Sequence, residues 1–159
     1  MKKIYVVGNR VSKSLSPTIF NYWFKKYNIK ASYGYLELTE KNFHKKIKEI
    51  LEKKETLGLN VTIPFKNKII KHLSKIDAHA KKIGAVNCVT NKKTINGTNT
   101  DWTGYYKTLP NIKQTKNRKV IILGYGGASH AIHYVLKKRG FKDILIFNRS
   151  KKKIKYSKN

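Results

Sequence analysis

GLNVTIPFKNK, residues 58–68, decides how the rest of the chain is read. It starts as an apolar strand through Val61, meets Pro64, and runs on into FKNKIIKHL (65–73), whose apolar spacing predicts a helix. Upstream, residues 3–7 make a short apolar strand, and ASYGYLEL (31–38) alternates as a second. Between them, PTIFNYWFKKYNI carries apolar residues at 19, 20, 23, 24 and 27, a helical stripe, with Pro17 suited to a first turn and Ser16 as its N-cap. Thr39 is placed to cap EKNFHKKIKEILEKKE, in which Phe43, Ile47, Ile50 and Leu51 recur at helical spacing. Strands separated by helices pair in parallel through right-handed crossovers, so the fold class is α/β.

Downstream, Asp77 can cap a short helix ending at Ile83 before Gly84, and NCVTNKKTING reads as an antiparallel hairpin turning at residues 91–93. Asp101 opens a helix to about Leu109. PNIKQTKNR (110–118) is polar and turn-rich, the best boundary in the chain. Beyond it the pattern restarts: KVIILGYGGASHAIHYVLKKRG is strand, glycine turn and helix, and KDILIFNRS is another strand. The tail KKKIKYSKN has no apolar face.

With 159 residues and 40% hydrophobic content, a globular chain with a real core is expected. No run of 18 apolar residues occurs and the N-terminal apolar stretch is only four long, so neither a membrane span nor a signal peptide is expected, and the location expected is cytoplasmic. The single cysteine, Cys88, can form no internal disulfide and reads as a small buried apolar residue. The formal charge of +28 raises polyanions as partners. Only Arg10, Arg118, Arg139 and Arg149 are arginine, and the lysines are spread rather than clustered with aromatics, so no specific nucleic-acid partner is expected. His130 and His133 lie three apart with no third ligand, and no metal is expected.

Few stretches carry chemistry. Gly124, Gly126, Gly127 and Ala128 lie between an apolar strand and a helix, where a backbone can approach a pyrophosphate at a helix N-terminus; the alternative is a tight turn without a ligand. About 20 residues further on, where NAD enzymes place an acid for the ribose, this chain has Asn148, Arg149 and Ser150. A guanidinium suits a 2′-phosphate, which favours NADP over NAD. Ser14 and Ser16 flank Leu15 after the first strand and could bind a hydroxylated or carboxylated ligand, or else Ser16 is only a cap and Ser14 is solvated. Asp101, in GTNTDWTG, is the one acid framed by a polar, glycine-bounded turn; an N-cap role is the alternative.

Taken together, SKSLSP, GLNVTIPFK, IGAVNCV, GTNTDWTG, ILGYGGASHA and FNRS resemble the shikimate dehydrogenase family, in that order and at that family's spacing. The resemblance runs to about Lys151. It implies a mixed, mainly parallel α/β sandwich that binds substrate over 1–103, a connecting helix and linker over 104–116, and an incomplete Rossmann NADP-binding domain over 117–159. It further implies that Ser14 and Ser16 hold a substrate carboxylate, and that Asn60, Thr62, Asn87 and Asp101 contact ring hydroxyls. Lys66 and Asp101 would form the catalytic pair, with Lys66 among the substrate contacts. Gly124, Gly126, Gly127 and Ala128 would cradle the pyrophosphate, and Asn148, Arg149 and Ser150 the ribose phosphate of NADP. The implied reaction is the reversible reduction of 3-dehydroshikimate to shikimate, in aromatic amino acid biosynthesis.

Lys66 then has a purpose. As hydride reaches the 3-keto carbon, negative charge grows on the oxygen, and a nearby ammonium can stabilise it and give the proton while Asp101 fixes its direction. A quinate-acting relative that uses NAD is the alternative within the class, and Arg149 counts against it; a non-catalytic basic binding module is the alternative outside it. A homodimer is compatible with the sequence, which does not itself give the oligomeric state. Family members continue well past residue 159, with further Rossmann strands and a helix carrying a substrate-contacting glutamine that has no counterpart here. The 159-residue chain alone is therefore expected to bind NADPH weakly and to turn over 3-dehydroshikimate at less than about 1 per second, which a steady-state NADPH assay measures.

Overall fold

In the computed structural model, residues 1–110 and 118–148 are described. The chain forms two compact units, Met1–Thr100 and one beginning at Asp101. The division therefore falls after Thr100, and the helix expected to connect two domains belongs to the second unit.

The first unit runs β1 (Lys2–Gly8), α1 (Ser16–Lys26), β2 (Ala31–Glu37), α2 (Phe43–Leu51) and β3 (Thr56–Val61), followed by a 3₁₀-helix (Lys68–His72). It ends with β4 (Lys75–Ile76), α3 (Ala78–Ile83) and the hairpin β5 (Cys88–Asn91) and β6 (Ile95–Thr98). The six strands form one sheet in the order β2-β1-β3-β5-β6-β4. β1 pairs in parallel with both β2 and β3, as helical crossovers require, while the hairpin joins antiparallel to β3. β4 adds a parallel two-residue edge on β6, an element too short to leave a sequence signal.

Hydrophobic burial decides which face each element turns inward. Phe43, Ile47 and Leu51 are the buried residues of α2, the helical stripe expected, and they join Val7, Leu59, Val61, Phe65, Ile69 and Val86 in the main core. A smaller cluster, Val6, Val11 and Tyr33, takes Phe20 and Phe24 of α1. Val6 and Val7 belong to opposite clusters, as the alternation of a strand requires, so β1 is covered on both faces.

Three helix starts differ from the sequence reading. Ser16 is the first helical residue rather than the N-cap: the Ser14 hydroxyl accepts its N–H at 3.2 Å, so the chain is already turning at Leu15. The segment after Pro64 forms a short 3₁₀-helix rather than an α-helix. Its apolar residues satisfy burial of Phe65 and Ile69, and its C-cap Leu73 is already extended, leading into β4. α2 begins at Phe43 with Asn42, not Thr39, at its N-cap: Thr39 and Asn42 bond reciprocally across the preceding turn, Thr39 N to Asn42 Oδ1 at 2.9 Å and Asn42 N to Thr39 Oγ1 at 3.4 Å. Asp77 caps α3 as expected, its Oδ1 accepting from His79 N and Ala80 N. Cys88 is half-buried rather than buried.

The second unit comprises α4 (Asp101–Thr108), β7 (Lys119–Leu123), α5 (Gly127–Lys138) and β8 (Asp143–Phe147), with β7 and β8 parallel. Ile122, Leu136, Phe141 and Ile146 form its core, and Trp102 of α4 meets Tyr134 of α5 edge to face. No helix among the described residues is long and apolar enough to cross a membrane.

Gly58 sits where β3 meets the hairpin, and a Cβ there would be driven into the Val89 carbonyl oxygen. Gly58→Ala is expected to lower unfolding free energy by about 2–4 kcal/mol, read by urea denaturation, because backbone cannot give way as a side chain tip can.

Candidate functional site

The carboxyl ends of β1 and β3 and the start of β5 meet at one end of the first sheet. Thr62 N donates to Val7 O at 2.8 Å, Asn9 N to Ile63 O at 3.2 Å, and Val61 N to Asn87 O at 2.8 Å. Val86 N donates to Lys66 O at 2.7 Å. These bonds bring the backbones of Asn60, Thr62, Lys66 and Asn87 into one patch, although nearly 30 residues separate the first from the last.

Lys66 is 9% exposed and is, among the described residues, the one charged side chain in the buried class. A lysine is rarely so enclosed, and this separates it from the solvated lysines around it. Its neighbour Phe65 is fully buried and stacks on Phe43, and the Ile63–Pro64 bond just before it is cis. Both ends of the Asn87 amide are held by Thr100: Asn87 Nδ2 donates to Thr100 Oγ1 at 2.9 Å, and Thr100 N donates to Asn87 Oδ1 at 2.8 Å.

Ser14 and Ser16 reach this end through the loop after β1. Glu37, the last residue of β2, anchors that loop by accepting Val11 N at 2.9 Å and Ser12 N at 3.0 Å on Oε2. The Ser12 N–H first, then its hydroxyl and the Val11 N–H, hold the Glu37 carboxyl below the ordinary glutamate range. Tyr33 of β2 donates its hydroxyl to Asn60 Oδ1 at 2.7 Å. Burial is the main reason its phenol is pushed up to about 12, with Cys88 adding to the shift. Asp77 does more than cap α3: its Oδ2 also accepts Asn99 N at 3.3 Å, while the buried Asn99 donates Nδ2 to Ala85 O at 2.9 Å.

Asp101 is the first residue of α4 and half-buried. In the second unit, Gly124 has φ +91°, a left-handed conformation that disfavours any side chain, and its N–H donates to Phe147 O at 2.7 Å. Gly126 is the N-cap of α5 with no side-chain cap, and Gly127 and Ala128 begin that helix. A Cβ at Gly124 or Gly126 would meet nothing within 4 Å, so the turn leaves open space where a phosphate can approach backbone N–H groups. Asn148 follows β8 and is half-buried; Arg149 and Ser150 lie outside the described residues. His133 and Tyr125 are hydrogen-bonded at 3.0 Å, and the Tyr125 ring packs 4.4 Å from that of His130, so packing accounts for both histidines. No group of three or more metal-ligating side chains occurs among the described residues.

Residues 6–89 match the family described as the shikimate dehydrogenase substrate binding domain. The chain belongs to the shikimate dehydrogenase family. A shikimate dehydrogenase of Thermotoga petrophila is 37% identical over 148 residues, covering 93% of this chain and 55% of the relative. One named shikimate dehydrogenase (NADP(+)), from Pelagibacter ubique, is 38% identical over 161 residues, 96% of this chain and 58% of the relative. The crystal structure of shikimate dehydrogenase from Thermotoga maritima superposes with a TM-score of 0.82 at 36% identity, covering 93% of this chain and 55% of that one. Shikimate 5-dehydrogenase of Thermus thermophilus, in complex with NADP(H) and shikimate, gives 0.78 at 28% identity, covering 94% and 57%. The chain spans a little over half the length of the curated relatives it matches.

Sequence reading missed Tyr33, Glu37, Asn99 and Thr100. Tyr33 and Glu37 were visible only as members of an alternating strand, and Asn99 and Thr100 only as part of GTNTDWTG. Each acts through a partner distant in sequence, so no local spacing marks it.

Because Glu37 has a depressed folded-state pKa, its anchoring is fully present above the ordinary glutamate range and is lost as pH falls through the lower, folded value. Hydrogen exchange at the Val11 and Ser12 amides, corrected for intrinsic rate, should accelerate about tenfold or more in Glu37→Ala at neutral pH, while amides of α5 stay unchanged.

Proposed function

We propose that this chain binds shikimate and 3-dehydroshikimate at the carboxyl end of β1 and β3 and serves their NADPH-dependent interconversion in the cytoplasm. The observation that carries the reading is the buried Lys66, whose backbone is bonded to that of Val86 beside Asn87, at the strand ends that also present Asn60 and Thr62. Ser14 and Ser16 donate to the substrate carboxylate. Asn60, Thr62 and Asn87 hold ring oxygens, a set of amides and hydroxyls suited to a polyhydroxylated, uncharged face. Ligands at the carboxyl ends of parallel strands follow the general behaviour of open α/β sheets.

NADP is the proposed cofactor. The open glycine turn at Gly124 and Gly126, with Gly127 and Ala128 starting α5, suits a pyrophosphate. Asn148, Arg149 and Ser150 occupy the sequence position where an adenosine ribose phosphate is recognised, and a guanidinium there favours the 2′-phosphate. When bound, NADPH supplies the hydride. Lys66 Nζ stabilises the negative charge that develops on the 3-keto oxygen and gives that oxygen its proton; enclosure strengthens the effect, since charges interact more strongly where water is excluded. Asp101 takes its proposed role as the carboxylate partner of Lys66 from the motif GTNTDWTG.

Lys66→Met removes the ammonium and keeps most of the side-chain volume. The variant should lose about 100-fold or more in the rate of 3-dehydroshikimate reduction by NADPH, with shikimate affinity by calorimetry changed by less than about tenfold. An unchanged rate would overturn the assignment, and equal rates with NADH would overturn the cofactor choice.

A further inference from the structure

Tyr33 lies in none of the motifs that carry the family resemblance, yet it is held more completely than any of them requires. Its ring is 3% exposed and stacks on Phe20 with centroids 4.6 Å apart and planes 9° from parallel. The Asn21 side chain takes both its backbone groups: Tyr33 N donates to Asn21 Oδ1 at 2.9 Å, and Asn21 Nδ2 donates to Tyr33 O at 2.8 Å. The one group left to do chemistry is the hydroxyl, which donates to Asn60 Oδ1 at 2.7 Å. Burial keeps the phenol protonated throughout the neutral range, so this polarity does not reverse.

From this geometry we infer that Tyr33 is a positioning residue that makes Asn60 a hydrogen-bond donor toward the ligand. With Oδ1 occupied by Tyr33, the Asn60 amide offers a ligand its NH₂ end, so the group it selects is an acceptor oxygen such as a ring hydroxyl or ketone.

This inference rests on reading the strand ends as the shikimate site, and its test separates the two. Tyr33→Phe keeps the ring and its stack on Phe20 while deleting the hydroxyl. The melting temperature should fall by less than about 8 °C, the loss of one hydrogen bond, leaving the chain folded at 25 °C, and shikimate Kd by calorimetry should rise about tenfold. In an Asn60→Ala background the same substitution should change Kd less than about twofold, because a residue acting through Asn60 has nothing left to orient. Without any ligand, the Asn60 side-chain NH₂ resonances in ¹⁵N-labelled protein should move toward free-amide positions in Tyr33→Phe. Unchanged Asn60 resonances, or an equal loss of affinity in the Asn60→Ala background, would overturn the positioning role. If the parent chain gives no heat with shikimate while the Asn60 resonances still respond, the ligand assignment fails and the orientation of Asn60 by Tyr33 stands.

Discussion

The stack of Phe43 on Phe65, centroids 4.2 Å apart with both side chains fully buried, is the contact on which the placement of the site depends. Phe65 is the residue before Lys66. Its N–H reaches back to Thr62 O at 2.9 Å and its carbonyl accepts Ile69 N at 2.9 Å, so the short segment between β3 and the 3₁₀-helix is closed around it. Once α2 has buried Phe43, Ile47 and Leu51 on this side of the sheet, Phe65 has one apolar slot to fill. Losing such a ring typically costs about 3–5 kcal/mol, a large share of the stability of a small domain. A buried phenylalanine therefore fixes the backbone of a lysine that chemistry requires to be aimed, and the Val86 N–H bond to Lys66 O fixes it from the other side.

Charge in this protein does two kinds of work. Most lysines stand on exposed surface, and their pairings, such as Lys46 with Glu49 at 2.9 Å, are solvated contacts of the kind that contribute about 1 kcal/mol or less. Two carboxylates of the first unit do something else. Glu37 and Asp77 accept from backbone N–H groups, at Val11 and Ser12 in one case and at His79, Ala80 and Asn99 in the other. With eight acids against 36 basic residues, committing two of them to backbone rather than to lysine is a structural choice. Each ties down a loop: one carries Ser14 and Ser16, the other carries Asn99 and Thr100 next to Asn87.

Much of the architecture was legible because its causes are local. Alternation and helical stripes marked β1, β2, α1 and α2; Asp77 before an apolar turn and Gly84 marked α3; the polar turn at residues 91–93 marked the hairpin. Where the reading slipped, a neighbour had intervened. The Ser14 hydroxyl took the Ser16 N–H and moved the start of α1, and Leu73 had to be extended to lead into β4, which kept the segment after Pro64 to a short 3₁₀ turn. The half-exposure of Cys88 follows from its place at the open end of the sheet, opposite Asn60 in the β3–β5 ladder.

By itself, the sequence determined the alternation of strand and helix, the glycine turn before α5 and the ordered motifs of the family, since each is written in residues close together along the chain. Only the tertiary structure decided which lysine is enclosed, which carboxylates hold loops, and that Tyr33 and Asn60 share a hydrogen bond. The reason is physical: burial and hydrogen-bond partnership are properties of space, and parallel pairing of β1 with β2 and β3 brings together residues that the chain keeps tens of positions apart.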